Sequence, residues 1–183
     1  MKTKSNKLKQ AFIFMFFVAI LVFIDQITKY FAVCSLKEDG PFVILKDVFE
    51  LRYLENTGAA FGIMQGGKVL FLLITIVMIG FILYVYFKLP AERKYHALRV
   101  ICLVIEAGAI GNMIDRLRQD FVIDFFYFRL INFPIFNVAD IYVTVSVFCL
   151  IICFLFYYKE EDLEMIYSDI FPWHKKKNEE KKI

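Results

Sequence analysis

Histidine is almost missing from this chain. Its 183 residues include two, His96 and His174. Cysteine is nearly as sparse: Cys34 stands alone, and Cys102, Cys149 and Cys153 fall inside apolar runs, so neither a disulfide framework nor a metal-ligand spacing is present. There is no G-x-S-x-G, no H-E-x-x-H and no glycine-rich phosphate loop. An excess of charge of one sign is lacking too. Lys and Arg number 22 against 19 Asp and Glu, a net charge of +3 that is too small to imply a polyanionic partner, so nucleic acid is not expected to bind.

What the chain has in abundance is apolar surface. Hydrophobic residues make up 60% with glycine left out, and 22 residues are Phe; soluble domains reach about 45–50% with glycine counted in. A soluble core of this size has no room for that much apolar area, and exposed patches of it aggregate. A soluble enzyme and a disordered chain are therefore excluded, which leaves a membrane protein.

Four apolar stretches are long enough to cross a bilayer. They run from about Leu8 to Val33, from Val69 to Phe87, from about Leu98 to Ile114, and from Val138 to Tyr158. At ~1.5 Å per residue, about 20 helical residues span the hydrocarbon layer, where backbone polar groups must be paired internally. The runs lack period-2 alternation, so helices are expected rather than a barrel. A basic start followed by an apolar run also fits a cleaved signal peptide, but Asp25 and Lys29 interrupt this one. Lys2, Lys4, Lys7 and Lys9 precede the first span, and Lys88, Arg93, Lys94 and Arg99 flank the second loop. The positive-inside rule puts both clusters, and hence both termini, in the cytoplasm, with 34–68 and 115–137 on the outer side. The expected fold class is an all-α membrane protein: four transmembrane helices with a small extracytoplasmic β element between spans one and two. Gly40-Pro41 is a turn signal, and Phe49, Leu51 and Tyr53 alternate with Glu50 and Arg52, which reads as one or two short strands. The body should comprise 1–158, followed by a charged cytoplasmic tail, 159–183. In the tail Leu163, Ile166, Tyr167 and Ile170 recur at helical spacing and Trp173 follows, fitting either a short helix on the inner leaflet or a solvated tail.

Ionisable groups inside a membrane are costly and mark function. Here Asp25 and Lys29 close span one, Asn56 follows the strand region, Asn112, Asp115 and Arg116 end span three, Asp124 lies in the outer loop, and Asn137 and Asp140 open span four. Four separate regions thus deliver polar side chains to one depth on one side. On span three Gly108, Gly111, Asn112 and Asp115 fall within about 100° of one another, a stripe suited to close helix packing around a polar cavity. Glu106 lies on the opposite face and has no role in this reading. Asp25 and Lys29 are i,i+4 partners that can neutralise one another, and Asp115 beside Arg116 is expected to form an ion pair that fixes the loop. Asp124, between Ile123 and Phe125, and Asp140, with no basic neighbour in its own segment, have no such explanation. Both histidines being cytoplasmic, a Ser-His or Cys-His pair at the outer site is excluded. Carboxylates and amides remain. Two aspartates held close share one proton, so that one acts as base on a water and the other as acid, a hydrolysis that needs neither metal nor cofactor.

Five motifs occur in order: Asp25-Gln26-Ile27-Thr28-Lys29, Asn56-Thr57-Gly58-Ala59-Ala60-Phe61, Gly111-Asn112-Met113-Ile114-Asp115-Arg116, Val122-Ile123-Asp124-Phe125 and Phe136-Asn137-Val138-Ala139-Asp140. Together, over about 11–158, they resemble lipoprotein signal peptidase, the bacterial signal peptidase II family. The resemblance implies a membrane aspartic endopeptidase that removes signal peptides from prolipoproteins just before a diacylglyceryl-bearing cysteine. It places the catalytic aspartates at Asp124 and Asp140, with Asp115 the competing candidate. It also implies that Asn112 and Asn137 bond the dyad or the substrate carbonyl, that Asn56, Gly58 and the small residues after them line the peptide path, and that Asp25 and Lys29 brace span one. No cofactor is implied. The partners would be prolipoproteins and membrane lipid, and the location the bacterial cell (inner) membrane, with the site near the outer face. Glu106, a short link between the two aspartates and the long charged tail depart from the family pattern.

A small four-helix proton-coupled transporter using Asp25, Glu106 and Asp140 as relays is the alternative, but relays should be spread through the membrane depth rather than gathered at one side. The topology is directly testable. A cysteine placed at Lys37 should react with an impermeant reagent on intact cells; reaction only after the cells are opened would invert the arrangement.

Overall fold

A computed structural model describes residues 2–58, 68–90 and 92–171. Ala59, Ala60 and Phe61, named above with the Asn56 motif, and Trp173, His174 and the rest of the tail lie outside the described residues.

Among the described residues four helices are long and apolar enough to cross a membrane, spanning Lys7–Leu36, Val69–Lys88, Arg93–Gln119 and Val138–Tyr157. They belong to α1 (Lys2–Leu36), α2 (Lys68–Lys88), α3 (His96–Gln119, led by a 3-10 turn) and α4 (Val138–Ile152, continued by a π turn to Tyr157). Large apolar side chains such as Phe23, Val77 and Phe148 point outward from them, as a bilayer requires and water does not tolerate. The third helix runs five residues past the expected end at Ile114, because Asp115 is buried with a partner rather than left to fray into a loop.

The β element is larger than the sequence suggests. Strands β1 (Phe42–Leu45) and β2 (Phe49–Asn56) form the expected pair, turning through Asp47 at φ 59°. A third strand, β3 (Val122–Phe128), joins them in an antiparallel sheet of order β1-β2-β3. Asp124 thus sits on a strand opposite Leu54, and not in a loop. A bulge between Leu51 and Leu54 interrupts the register and turns the strand there. Beyond β3 the chain folds back on itself: Phe126 donates its N–H to the Phe136 carbonyl at 2.8 Å and accepts from the Phe136 N–H at 3.1 Å. That return places Asn137, the residue just before the next helix, beside the strand the chain has just left.

Among the described residues three apolar clusters hold the bundle. Near the sheet, Ala32 and Leu36 of α1 pack on Ile123 and Phe125. In the middle Phe14, Val18, Tyr86 and Ala107 meet, and at the opposite end Leu89, Tyr95, Leu98 and Tyr158 do. This last cluster receives a further helix, α5 (Glu160–Ile170), whose Ile166 and Ile170 are buried in it. The helical spacing in the tail therefore does form a helix, docked on the protein's own apolar residues. The Tyr84 hydroxyl donates to the Ile170 carbonyl at 2.7 Å and fastens its end.

The α3–α4 contact depends on a missing side chain. A Cβ on Gly108 would sit 2.6 Å from the Ala139 carbonyl oxygen and 2.8 Å from Val143 Cγ2. Gly108→Ala should therefore force α4 away and cost about 1–3 kcal/mol, read as a lower unfolding temperature in detergent. Gly80→Ala, where a Cβ meets nothing within 4 Å, should leave that temperature unchanged or higher; equal losses at the two positions would remove the close-approach argument.

Candidate active site

The site begins with a buried cation. Lys29 is 1% exposed, and its Nζ lies 2.9 Å from Asp25 Oδ2, 2.8 Å from Asp115 Oδ2 and 2.9 Å from Asn112 Oδ1. An ammonium has three donors and no acceptor, and all three are used. Each carboxylate then fastens another element. Asp25 Oδ1 accepts the Ala139 N–H at the start of α4 at 2.9 Å, and Asp115 Oδ2 accepts the Ile123 N–H of β3 at 3.3 Å. Gln26 ties the same elements, donating to Asp115 Oδ1 at 2.9 Å and to the Gly111 carbonyl at 3.2 Å. Gly111 must be glycine here, since a Cβ would lie 2.5 Å from Asp25 Oδ2.

Above this cluster lie the other two acids. Asp124 Oδ1 accepts from Asn137 Nδ2 at 2.6 Å and its Oδ2 from Asn56 Nδ2 at 2.8 Å. Asp140 Oδ1 accepts from Asn112 Nδ2 at 2.8 Å and its Oδ2 from the Asn137 N–H at 3.1 Å. Among the described residues, every oxygen of the pair thus carries one N–H donor. Asn137 does double duty as the N-cap of α4, its Oδ1 accepting the Asp140 N–H at 3.0 Å in a reciprocal capping box. Asp124 is buried at 1% exposure. That burial, and then the charge of Asp140, push its carboxyl up to about 7, against the pull of the Asn56 and Asn137 hydrogen bonds.

Both acids open onto a cleft of about 440 Å³. Its polar wall is Asn56, Gly58, Asn112 and Arg116; its other wall is apolar, with Phe133, Phe136, Ile141 and Val145. Arg116 reaches across it, donating to the Gly58 carbonyl at 3.3 Å while its guanidinium stands over the Phe71 ring at 5.1 Å. Among the described residues no three His, Cys, Asp or Glu side chains are arranged to hold a metal ion; the acids here are engaged by ammonium and amide N–H groups instead.

All ten residues singled out from the sequence meet at this one place. One pairing is corrected. Asp115 forms its ion pair with Lys29 of α1 and not with its neighbour Arg116, because successive helical residues point about 100° apart. Arg116 serves the β2 end and α2 instead. Gln26 and the apolar wall from Phe133 were not singled out. Gln26 stood in plain view between Asp25 and Lys29 at the end of an apolar run; the wall carries no polar signal at all. Glu106 is buried away from the site, and its Oε2 has no hydrogen-bond partner among the described residues.

Residues 17–156 match the protein family described as Signal peptidase (SPase) II. A lipoprotein signal peptidase of Caldanaerobacter subterraneus subsp. tengcongensis is 42% identical over 130 residues, 70% of this chain and 86% of that protein. One of Streptococcus pyogenes is 39% identical over 152 residues, 82% of this chain and 95% of its own length. Two solved structures described as bacterial membrane enzymes align with TM-scores of 0.69. They are 32% and 31% identical, and the alignments cover 78% and 79% of this chain and 87% and 94% of theirs.

The corrected pairing has a measurable consequence. Asp115→Asn removes one of the two carboxylates on a buried ammonium and should cost about 2–3 kcal/mol of stability. Arg116→Gln breaks no ion pair with Asp115 and should cost less in the same unfolding assay; the reverse order would restore the Asp115–Arg116 pairing.

Proposed function

The chain belongs to the signal peptidase II family, the proteases that remove signal peptides from lipoprotein precursors, and we propose that it does so as an aspartic endopeptidase with Asp124 and Asp140 as its catalytic pair. One observation carries this reading: two carboxyls from separate elements, β3 and the first turn of α4, face one cleft, each with both oxygens held by N–H donors. Two acids that face one cleft, are bridged by Asn137 and feel each other's charge share one proton on this reading. The ionised one takes a proton from water, whose oxygen attacks the scissile carbonyl carbon, while the protonated one gives its proton to the carbonyl oxygen. The resulting gem-diol returns a proton to the second acid as the C–N bond breaks, and the leaving amine takes the proton held by the first. The pair ends as it began, with no metal or cofactor consumed.

The cleft suits the substrate. Its polar wall of amides and Arg116 matches an extended peptide backbone, and its apolar wall matches small apolar side chains and the diacylglyceryl group on the cysteine after the cleaved bond. The chain is a multi-pass bacterial membrane protein. Its orientation, with both termini cytoplasmic and the sheet end outward, follows from the lysine and arginine clusters and puts the site at the outer face, where lipidated precursors are held. Neither the site nor the relatives favour the transporter.

Asp124→Asn and Asp140→Asn should each lower cleavage of a synthetic diacylglyceryl-cysteine propeptide by at least ~10³-fold per folded molecule, while wild-type cleavage persists in strong chelator. Because Asp124 must hold its proton, turnover should fall on the alkaline side with an apparent pKa of about 7. Asn56→Leu removes a donor that favours the ionised form, so that limb should move to higher pH. Substantial turnover by either Asp variant would remove that residue from the pair.

A further inference from the structure

The two acids of the cleft are not equivalent, and the difference traces to how two amides are oriented. An asparagine side chain can present oxygen or NH2 to either side, and the neighbours decide which. For Asn112 one neighbour allows no choice. The Lys29 ammonium, 2.9 Å away, can only donate, so the Asn112 oxygen must face it. The NH2 is then turned to Asp140, 2.8 Å off. Asn137 is fixed in the same manner by the Asp140 backbone N–H, which claims its oxygen at 3.0 Å and leaves its NH2 for Asp124 at 2.6 Å and for Asn112 Oδ1 at 3.1 Å.

The two acids therefore differ in what supports a negative charge. Asp140 stands in the first turn of α4, where the helix N-terminus favours an anion. It accepts the Asn137 backbone N–H and an Asn112 amide polarised by an ammonium on its far side. Asp124 lies within a strand and, among the described residues, accepts only side-chain amides. Among the described residues, the charged groups acting on the pair are Asp25 and Lys29 from α1 and Arg116 from α3, with Asp115 acting on Lys29 and Arg116 and β2 contributing the neutral Asn56. Asp25 and Asp115 balance the two cations, so the pair has no counter-charge of its own; sharing one proton spares it a second like charge, and the place of that proton is decided locally.

On the aspartic reading above, we propose that Lys29 is a positioning residue for the hydrolysis: by fixing the polarity of the Asn112 amide it aims a donor at Asp140, making Asp140 the base that draws the proton from water and Asp124 the acid that protonates the carbonyl oxygen. Lys29 is sealed from the cleft by Asn112 and touches no substrate. Its charge also reaches the pair directly, but the larger part of its influence on Asp140 is relayed through the Asn112 amide, which distinguishes it from a brace of span one.

The test separates the relay from the brace. Lys29→Met is made in an Asp115→Asn background, so that a single buried carboxylate, Asp25, loses its cation while keeping the Ala139 and Gln26 donors. With Asp115→Asn as baseline, Lys29→Met and Asn112→Leu should each lower kcat by about 30–100-fold, leave KM within about threefold, and move the acidic limb of the kcat profile up by about one pH unit, since a donor favours the ionised base. Combined, they should be no worse than Asn112→Leu alone. Losses that multiply, or an acidic limb that stays in place, would overturn the relay. Asn112→Leu in the otherwise unchanged chain keeps the Lys29, Asp25 and Asp115 contacts, so it decides the matter even where Lys29→Met folds poorly: an unmoved acidic limb there sinks the proposal. Asp124→Asn and Asp140→Asn run in the same assay. Turnover by either defeats the aspartic reading itself, whereas two dead variants with an unmoved acidic limb in Asn112→Leu defeat the relay alone.

Discussion

A lysine ammonium sealed among helices is the constraint on which the rest of this structure depends. Taking a charge out of water costs several kcal/mol unless partners surround it, and Lys29 recovers that cost only if α1, α3 and the α4 start all arrive together. Its two carboxylates come from α1 and α3, and their remaining lone pairs hold the first turn of α4 and the edge of β3. No single helix can satisfy it. In a bilayer, where apolar side chains gain nothing by leaving lipid for one another, such a polar knot specifies which helices meet and at what depth.

The close approach of helices follows from the same knot. Gly108 and Gly111 leave room for α4 and for the Asp25 carboxylate, so α3 can act as the common wall of the site. From there the asparagines carry order outward. Asn112 touches the ion cluster and one acid of the cleft, and Asn137 joins the acids to each other and to Asn112. The proposed catalytic pair thus stands one amide away from the interaction that organises the fold. Preorganisation at the site and stability of the bundle are supplied by one set of contacts.

Much of this was legible in the residues. The spans stood out because lipid selects for continuous apolarity, and the polar residues stood out because lipid penalises them; Asp25, Lys29 and Asp140 are conspicuous for that reason. Asp124, an acid between Ile123 and Phe125, is conspicuous too, and the family motifs added the roles expected of it and of Asn56. Three features were hidden. The strand character of 122–128 was masked because Ile123, Phe125 and Tyr127 sit in a run with little alternation, buried from both sides. The partner of Asp115 is Lys29, far off in the chain, because adjacency in sequence is not adjacency on a helix. The docking of α5 depends on Leu89, Tyr95 and Leu98, far away in the chain. By contrast, Asn137-Val138-Ala139-Asp140 carries a helix-start signature that a closer look at capping would find.

The Asn137 cap has a consequence for motion. Helix ends open more easily than helix centres, usually without harm to what lies elsewhere. Here the end of α4 and the floor of the cleft are the same atoms: when the Asp140 N–H leaves Asn137 Oδ1, Asn137 loses what holds its amide toward Asp124. Fraying by one turn and disassembly of the site are therefore a single event with a single free energy. The exchange rate of one backbone hydrogen, that of Asp140, measures the fraction of time this cleft is not built.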